Sequence, residues 1–427
     1  MSRLLEKLQQ CIFVPLLLAV VANGYAQPVP CAADLYWQQQ PGHQITRRAV
    51  EDAIHEWITN NEKIIFNRSL ITIPVVVHVV WRTPEENISD AQIQSQIEAL
   101  NRDFQARNTE IARVPAIFRS VIATIDFEFC LAQMDPSGNA TTGITRTRTP
   151  FEQIGARFAE GRRAICFTNL GGQDAWDTRH YLNIWVGQCR PVFIGEASFP
   201  GMASPDTDGI RMDPTAFGTM GTARAPYNLG RTLVHEIGHF FNLFHLWGAQ
   251  GDLENLNCDQ DDGVADTPRQ AFSYRGECPV HPQISCGSAD MFMNFMNYTN
   301  DACMAMFSQG QKIRMLAALH TFRAGLLTAA GACLRPVAAP HRPNLESLIQ
   351  VMQNPAHRRI HLQRSSTIST EPLRLRIFHT DGRLLFEDQW MNGTDYQKDF
   401  LPLSAGSYFI IIENSYGTFC KKIVLLY

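Results

Sequence analysis

Long apolar runs are scarce in this chain, and so is an excess of charge of either sign. The 427 residues include 37 Lys and Arg against 41 Asp and Glu, a formal net charge of −4. This balance gives no reason to expect nucleic acid or an anionic membrane surface as a partner. After the first 26 residues, no apolar run approaches the roughly 20 residues that cross a bilayer. We therefore expect no transmembrane segment in the mature chain, and more than one domain, because 427 residues exceed the usual size of one.

The one longer apolar run, residues 11–22, predicts a secretory signal peptide. Two basic residues precede it, it is too short to span a bilayer, and Gly24 and Ala26 supply a small-x-small cleavage site. We expect the signal to cover residues 1–26 and the exported chain to begin at Gln27. A buried N-terminal helix is the alternative, which this order of charge, apolar run and small residues disfavours.

Apolar periodicity predicts strands and helices that alternate as far as residue 245. The predicted strands cover residues 71–81, 122–131, 181–186, 194–200 and 210–212, and a predicted helix covers residues 90–107. Another helix is predicted further along the chain, at residues 308–327. Ahead of the first predicted strand, residues 27–68 are polar and then helical in pattern. This alternation indicates an α+β domain in which helices pack on a mixed sheet.

Three prolines in residues 334–343 mark a linker, and the pattern changes after it. Asp381-Gly382 is a strong signal for a two-residue hairpin between short strands. Residues 344–427 therefore form a predicted all-β module, a small sandwich. Its predicted strands cover residues 359–363, 373–378, 383–386, 407–413 and 421–426.

The most informative stretch runs from His235 to His245 and reads HEIGHFFNLFH. Because a helix turns about 100° per residue, His235 and His239 lie one turn apart on the same face and can reach one zinc ion. Glu236 lies beside the first ligand, where it can act as general base on a water without binding the metal. Histidines that merely pack a helix are the alternative, but four fixed positions seldom match by chance.

His245 lies six residues beyond His239, about 240° further around a continued helix, and would then point away from the metal. The helix must therefore stop between them, and the chain must turn back. Such a turn usually needs a residue with positive φ, most often Gly, although Asn also tolerates it. Asn242 lies between the two histidines, so the sequence permits His245 as a third zinc ligand.

This motif resembles the extended zinc motif of the metzincin endopeptidases. With its flanks, GRTLVHEIGHFFNLFHLWG and NFMNYTNDACM, it is similar to the pappalysin family, especially its small bacterial members, over roughly residues 70–320. Asn242 is a departure, since most metzincins have Gly there. The resemblance implies a metzincin-like catalytic domain at residues 69–335, with a twisted mixed sheet, a zinc helix and an irregular C-terminal subdomain. It also implies a pro-segment at residues 27–68.

The resemblance assigns roles outside the zinc motif as well. Met296 matches the methionine turn beneath the zinc, and Tyr298 stands where relatives place a tyrosine that can hydrogen-bond the oxyanion. The alternative is that Met296 and nearby methionines simply fill a core. Residues 194–200 resemble the edge strand that binds substrate in an antiparallel alignment, although an ordinary edge strand has the same pattern.

Substrate preference stays open at this stage. The small bacterial relatives favour a basic residue just after the scissile bond, through an acidic residue near the cysteine that follows the methionine turn. Here Ala302 immediately precedes Cys303, and Asp301 lies one position further back. This offset leaves a preference for Arg or Lys undecided.

Ten cysteines remain once Cys11 leaves with the signal, and an exported chain is expected to form disulfides. Four of them bracket the region after the zinc motif and allow three pairings. The resemblance implies the crossed pairing, Cys258 with Cys286 and Cys278 with Cys303. The cysteines left unassigned are Cys130, Cys166, Cys189 and Cys333, and Cys420 lies in the C-terminal module.

The run from Asp259 to Thr267 concentrates oxygen donors beside the zinc motif. Hard oxygen ligands suit calcium, and the resemblance implies a calcium ion bound by Asp262 and Thr267. A solvated acidic loop that binds nothing is the alternative.

Cys31 stands alone in the predicted pro-segment. A thiolate is a strong zinc ligand, and relatives use such a cysteine on the fourth zinc position to displace the catalytic water and keep a zymogen latent. A disulfide to another cysteine is the alternative. The Arg47-Arg48 and Arg68-Ser69 bonds are the predicted activation sites.

The C-terminal module resembles the type IX secretion sorting domains of certain gram-negative bacteria, through residues 349–356, 381–382 and 403–409. The resemblance implies the type IX secretion machinery as a partner. A generic β-sandwich that binds carbohydrate or another protein is the alternative.

Together these features predict a zinc endopeptidase that is made as a zymogen, secreted to the extracellular space or cell surface, and active on proteins or peptides. A non-catalytic surface-binding protein with a structural zinc is a competing class, but such a site has no use for Glu236 and usually has a fourth protein ligand. A zinc exopeptidase or amidase is a third class, which a third histidine at this spacing disfavours.

Overall fold

The computed structural model describes residues 28–33, 42–61, 70–248, 258–334, 345–357, 359–368, 372–399, 403–414 and 417–426. The predicted signal peptide, the Arg68-Ser69 bond and residues 335–344 lie outside them. The chain divides into two units, Met1–Pro336 and Val337–Tyr427. Within the described residues, no helix is both long and apolar enough to cross a membrane.

A mixed sheet forms the frame of the first unit, as predicted. In chain order its strands are β1 Val29–Cys31, β2 Ile71–Trp81, β3 Phe127–Leu131, β4 Ile144–Arg148, β5 Phe158–Ala159, β6 Arg162–Arg163, β7 Leu182–Val186, β8 Phe193–Ala197 and β9 Ile210–Met212. The large sheet has the order β1-β8-β9-β7-β2-β3, with β4 also paired to β2, while β5 pairs only with β6 among the described residues. β8 runs antiparallel to β9, and the other pairings in the large sheet are parallel.

Helices pack on this sheet. The α-helices described in the first unit are α1 His43–Asn60, α2 Asp90–Phe104, α3 Arg231–Phe240 and α4 Gln309–Phe322. Short 3₁₀ helices cover Pro84–Glu86, Thr109–Arg113, Ala116–Val121, Ala164–Cys166, Thr168–Leu170, Pro214–Ala216, Asp301–Cys303, Ala324–Thr328 and Ala330–Cys333. Ser89 caps α2 and Ser308 caps α4, each by accepting a hydrogen bond from a backbone N–H of the first turn.

β2 pairs with β7 along one edge and with β3 and β4 along the other, and it has apolar side chains on both faces. Val75 and Val77 belong to the main core, which also includes residues of α2, α3 and α4, whereas Val76 and Val80 are buried on the other face. A strand covered on both faces needs a nearly unbroken apolar run, which explains residues 71–81. α3 is buried at every residue and packs against β8, β9 and α2, so the histidine motif lies inside the unit.

The strand predicted at residues 122–131 begins only at Phe127. Ahead of it, the backbone N–H of Ala123 donates to Phe307 O at 3.0 Å and that of Ile125 donates to Phe104 O at 2.8 Å. These donors are therefore used by neighbouring segments rather than by a strand ladder. The alternation of residues 122–126 arises from burial against those segments.

The second unit is the predicted all-β sandwich. After a short helix, α5 Leu345–Leu348, its strands are β10 Ile349–Val351, β11 Ala356–His357, β12 Arg359–Arg364, β13 Leu373–His379, β14 Leu384–Trp390, β15 Asp395–Asp399, β16 Gly406–Asn414 and β17 Gly417–Leu426. One sheet has the order β10-β12-β15 and the other β11-β17-β16-β13-β14. The predicted Asp381-Gly382 turn joins β13 to β14, with Gly382 at φ 86°. A 3₁₀ helix covers Ser366–Ile368.

Three disulfides are present among the described residues. Cys258–Cys286 and Cys278–Cys303 form the crossed pair, and Cys130–Cys333 links β3 to a segment 203 residues later. The pairing of Cys130 with Cys333 was not predicted. Cys166 and Cys189 are buried and Cys420 is exposed, and none of them belongs to these bridges.

Candidate metal centre

The helix that carries the histidine motif ends in the sharp turn that its sequence predicts. α3 is followed by Asn242 at φ 69°, the left-handed conformation. The backbone N–H of Leu243 then donates to Gly238 O at 2.8 Å, which closes the turn. The chain consequently reverses, and His245 comes back toward His239.

The three histidines converge on one point. Their Nε2 atoms form a small triangle: His239 to His235 at 3.0 Å, His239 to His245 at 3.1 Å, and His235 to His245 at 3.2 Å. Nitrogens that share a tetrahedral zinc at about 2.0–2.1 Å are separated by little more than this. The triangle therefore has the size of a zinc ligand set.

The ring protons leave the Nε2 atoms available for a metal. The other ring nitrogen, Nδ1, lies 2.7 Å from Phe295 O in His235 and 2.8 Å from Leu243 O in His239. A carbonyl oxygen only accepts, so each Nδ1 carries the proton and each Nε2 presents a lone pair. Burial lowers the pKa of His235 and of His245 to about 3, which keeps both rings neutral. Neutral nitrogens crowded together in this way suit a bound cation.

Cys31 completes the set as a fourth donor. Its Sγ and the three histidine nitrogens all lie within 4.8 Å of one another. The backbone N–H of Ala33 donates to Sγ at 3.4 Å, and the thiol lies 3.5 Å from Glu236 Oε2. The alternative of a disulfide at Cys31 does not occur among the described residues.

Cys31 reaches this position because β1 extends the sheet beyond β8. The two strands are parallel, with Val29 opposite Phe193 and Cys31 opposite Gly195. The segment predicted as an edge strand at residues 194–200 is strand only as far as Ala197, and β1 covers its outer edge. A chain along this edge therefore passes directly over the histidine cluster.

Glu236 is fully buried and lies against the backbone of β8. A Cβ added to Gly195 would meet Glu236 Oε1 at 2.5 Å, so only glycine lets the carboxylate take this position. Gly195 was not among the predicted site residues. Its signal was a glycine inside a predicted strand, which often marks a close approach of another group.

A residue of β8 forms buried ion pairs. Glu196 is fully buried, and its carboxylate pairs with the guanidinium groups of Arg163 and Arg211. Such a charge is tolerated only when it is fully paired, as it is here. These three residues carried no recognisable signal in the sequence, because they are distant from one another in the chain.

Met296 and Tyr298 lie around the cluster. The Met296 Sδ packs against Gly238 so closely that a Cβ on this glycine would clash with the sulfur. The Tyr298 ring centroid lies 4.8 Å from that of His245 and 5.5 Å from that of His235. The methionine is thus beneath the zinc helix, and the tyrosine borders the metal position.

A pocket beside His235 contains an acidic group. It is lined in part by Ile194, Tyr227, Thr232 and Asp301. Asp301 Oδ2 accepts the backbone N–H of Leu229 at 2.7 Å, whereas its buried Oδ1 has no hydrogen-bond partner among the described residues. Burial raises the pKa of Asp301 to about 6. Asp301 therefore lines the pocket even though Ala302 separates it from Cys303.

The predicted calcium residues lie together. Asp262 is buried, and Thr267 Oγ1 donates to its two carboxylate oxygens at 2.7 and 2.9 Å and lies 2.8 Å from Val264 O. Burial raises the pKa of Asp262 to about 7. A buried carboxylate, a hydroxyl and a carbonyl in one place are the oxygen donors that calcium prefers.

Two arginines, neither of them among the predicted site residues, cap the C-terminal end of α3. Arg323 Nε donates to Phe240 O and Arg314 Nε donates to Asn242 O, both at 2.7 Å. Cations are favourable at this end of a helix, where carbonyl groups lack intrahelical partners. They stabilise the turn that returns His245 to the cluster.

Comparisons with known proteins agree with this geometry. Residues 170–320 match the family described as pregnancy-associated plasma protein-A, and residues 351–426 match the secretion system C-terminal sorting domain. Extracellular metalloproteases of Arthroderma otae and Trichophyton verrucosum are each 32% identical over 263 residues, which is 60% of this chain and 80% of each relative.

Two solved structures from Tannerella forsythia are also similar. A promirolysin mutant is 39% identical and superposes with a TM-score of 0.61, covering 71% of this chain and 98% of its own. Mature mirolysin in complex with a cleaved peptide is 42% identical with a TM-score of 0.59, covering 63% of this chain and 100% of its own.

Proposed function

The chain belongs to the pappalysin family of metzincin metalloendopeptidases, and we propose that Glu236 is its general base and that Cys31 keeps its secreted precursor latent. The observation that carries this proposal is the placement of one carboxylate and one thiol at a triangle of three histidine nitrogens. Family membership establishes a secreted zinc metalloendopeptidase. The roles of individual residues are our inference from the site.

His235, His239 and His245 would hold the zinc. Zinc bound there supplies a Lewis acid that polarises the substrate carbonyl and lowers the pKa of a water molecule. The buried Glu236 accepts the proton of the attacking water and passes it to the leaving amine. The Tyr298 ring stands beside two of the ligands, and its hydroxyl would donate to the oxygen that becomes negative during attack.

Latency rests on the position and direction of β1. Cys31 would be a fourth zinc ligand in the place of the attacking water, and its thiol lies 3.5 Å from Oε2 of the proposed base Glu236. β1 also runs parallel to β8, whereas the resemblance implies that substrates bind antiparallel. The pro-segment thus occupies the cleft in the reverse orientation, which protects it from hydrolysis.

Activation requires cleavage after β1 and α1. The Arg47-Arg48 bond lies within α1, and a helical segment cannot adopt the extended conformation in which peptidases bind substrates. We therefore favour the Arg68-Ser69 bond. Cleavage there removes the whole segment that covers the histidine cluster.

The Asp301 pocket indicates a basic residue just after the scissile bond. A buried carboxylate oxygen without a hydrogen-bond partner is costly, and a guanidinium or ammonium group would satisfy it. The pocket adjoins His235 and the start of β8. Arg or Lys is thus the side chain that suits it.

We also assign calcium to the loop of Asp262 and Thr267, and the type IX secretion machinery as the partner of residues 351–426. Neither role enters the chemistry at the zinc. Calcium would neutralise a buried carboxylate and stabilise the loop that follows the third histidine.

A structural zinc with four protein ligands is the competing interpretation, since Cys31 closes the site in this chain. The test separates the precursor from the processed form. Processed protein that contains equimolar zinc and cleaves a peptide blocked at both ends supports the endopeptidase. Processed protein that contains zinc and cleaves no such peptide contradicts it.

A further inference from the structure

The helix α1 covers a second site, next to the turn that follows α3. Near the middle of α1, Glu51 points toward Asn242, the residue that forms the left-handed turn after α3. Val50 and Glu51 line a small cleft together with Phe199 and Phe244. The pro-segment therefore contacts the catalytic domain at a place that Cys31 does not reach.

Glu51 is bound there by two donors. Arg314 Nη2 donates to both of its carboxylate oxygens at 2.6 Å, and Asn242 Nδ2 donates to Oε1 at 3.0 Å. Arg314 is positioned by its own Nε, which donates to Asn242 O at 2.7 Å. The Arg314 side chain is only 7% exposed and its guanidinium lies over the Phe244 ring. Arg314 and Asn242 thus form a carboxylate-binding site, and the Phe244 ring forms an apolar wall beside it.

The site loses its carboxylate when α1 leaves. Removal of α1 takes the Glu51 carboxylate away from Arg314, while Arg314 Nε still has Asn242 O as its acceptor. Asp262 is close enough to influence Arg314 electrostatically, but among the described residues no hydrogen bond or ion pair joins the two side chains. The processed protein therefore presents two fixed donors, Arg314 and Asn242, that suit an acidic side chain.

The location of this site makes the acidic side chain part of a substrate. Phe199 follows the end of β8, and its ring centroid lies 5.1 Å from that of the zinc ligand His239. The Asp301 pocket adjoins Ile194, near the start of β8. An extended peptide along β8 thus passes the Asp301 pocket at one end and the Arg314 site at the other.

We propose that Arg314 and Asn242 form a subsite for an acidic substrate side chain, which Glu51 occupies in the latent chain. The subsite lies across the scissile bond from the Asp301 pocket, and this assignment rests on the proposed endopeptidase function. Asn242 has a second role under this proposal. Glycine would form the same turn, but it would offer no amide to the carboxylate.

Binding can be measured separately from hydrolysis. The Glu236→Ala chain is freed of its pro-segment by limited trypsin digestion and gel filtration, and N-terminal sequencing confirms the product. Fluorescein-labelled peptides carry a fixed Arg for the Asp301 pocket. In a series of these peptides, a single Glu is placed at each position in turn on both sides of the scissile bond. Each peptide has a matched control in which Gln replaces this Glu. Fluorescence anisotropy measures the affinity of each peptide.

At one position before the scissile bond, we expect the Glu peptide to bind roughly tenfold more tightly than its Gln control, as charge-assisted hydrogen bonds permit. Arg314→Lys and Asn242→Gly should each reduce this ratio. Arg323→Lys, which alters the other arginine that caps α3, should leave it unchanged. A ratio near one at every position, or a ratio that both variants retain, overturns the subsite. If the ratio behaves as expected but wild-type processed protein cleaves none of the peptides, the proposed hydrolysis fails and the subsite stands.

Discussion

Gly195 of β8 lies against the carboxylate of Glu236, and a Cβ on this glycine would come within 2.5 Å of Oε1. The same glycine is opposite Cys31 in the ladder between β1 and β8. One residue without a side chain thus lets the Glu236 carboxylate, the Cys31 thiol and the strand β8 approach one another. The relationship makes Gly195 a positioning residue.

Gly195→Ala should lower kcat strongly while zinc remains bound, because the methyl group displaces the Glu236 carboxylate and leaves the three histidines in place. Loss of a correctly placed general base typically costs on the order of 10²- to 10⁴-fold. Steady-state kinetics and metal analysis of the processed protein give the two readouts. Gly331→Ala, at a glycine with nothing within 4 Å of its added Cβ, is the matched control. Full activity of Gly195→Ala would show that the carboxylate has room to move.

Cys31→Ala should make the precursor active before processing, since it frees the fourth ligand position and the contact with Glu236. We expect the rate of the unprocessed chain to rise by roughly tenfold or more, as a thiolate is a strong zinc ligand. Hydrolysis of a blocked peptide is followed while gel analysis confirms that the chain is intact. Cys420→Ala changes an exposed cysteine of the second unit and serves as control. A Cys31→Ala precursor as inactive as its parent would remove the thiol from the latency mechanism.

Asp301→Asn should reduce the preference for Arg after the scissile bond. The readout is the ratio of kcat/KM for paired peptides with Arg and with Ala at that position, which is insensitive to a general loss of activity. Because burial raises the pKa of Asp301 to about 6, the wild-type preference should also increase as pH rises through 6. An unchanged ratio in Asp301→Asn would assign specificity to another group.

The pKa of Asp262 gives calcium binding a pH dependence. Burial raises this pKa from 3.8 to about 7, so without calcium the folded state retains a proton that the unfolded chain releases at lower pH. The contribution of Asp262 to stability is therefore lost as pH rises from about 4 to about 7. Calcium competes with that proton, so the increase in Tm on adding calcium should be larger at pH 8 than at pH 5.

Thermal unfolding with calcium and with chelator measures this effect. Asp262→Asn should abolish the increase in Tm on adding calcium, while Asp261→Asn, at the neighbouring acidic residue, should retain most of that increase. A calcium effect that is equal at both pH values would place the ion elsewhere.

The three histidines of the cluster could be predicted to converge because they lie within eleven residues of one another and follow helix geometry. Asn242 could be predicted for the same reason, since the direction of His245 required a turn between two known points. Strands such as β2 and β9 were also predicted, because their apolar side chains reflect burial in the sheet. The sequence pattern predicted these features because the interactions that cause them join residues close together in the chain.

Other features depend on contacts between distant segments. Glu51 meets Arg314 across 263 residues, and Cys130 meets Cys333 across 203. β4 reads ITRTR, which lacks a continuous apolar face, and it pairs with β2 through backbone hydrogen bonds. No periodicity in one sequence encodes which distant segment completes such a pair.

The most direct test of the account measures zinc content and turnover together in the processed Glu236→Ala protein. We predict one zinc per chain, as in the wild type, with kcat on a blocked peptide reduced by on the order of 10²- to 10⁴-fold. Glu236→Ala protein that retains both zinc and near wild-type turnover would contradict the assignment of Glu236 as the general base.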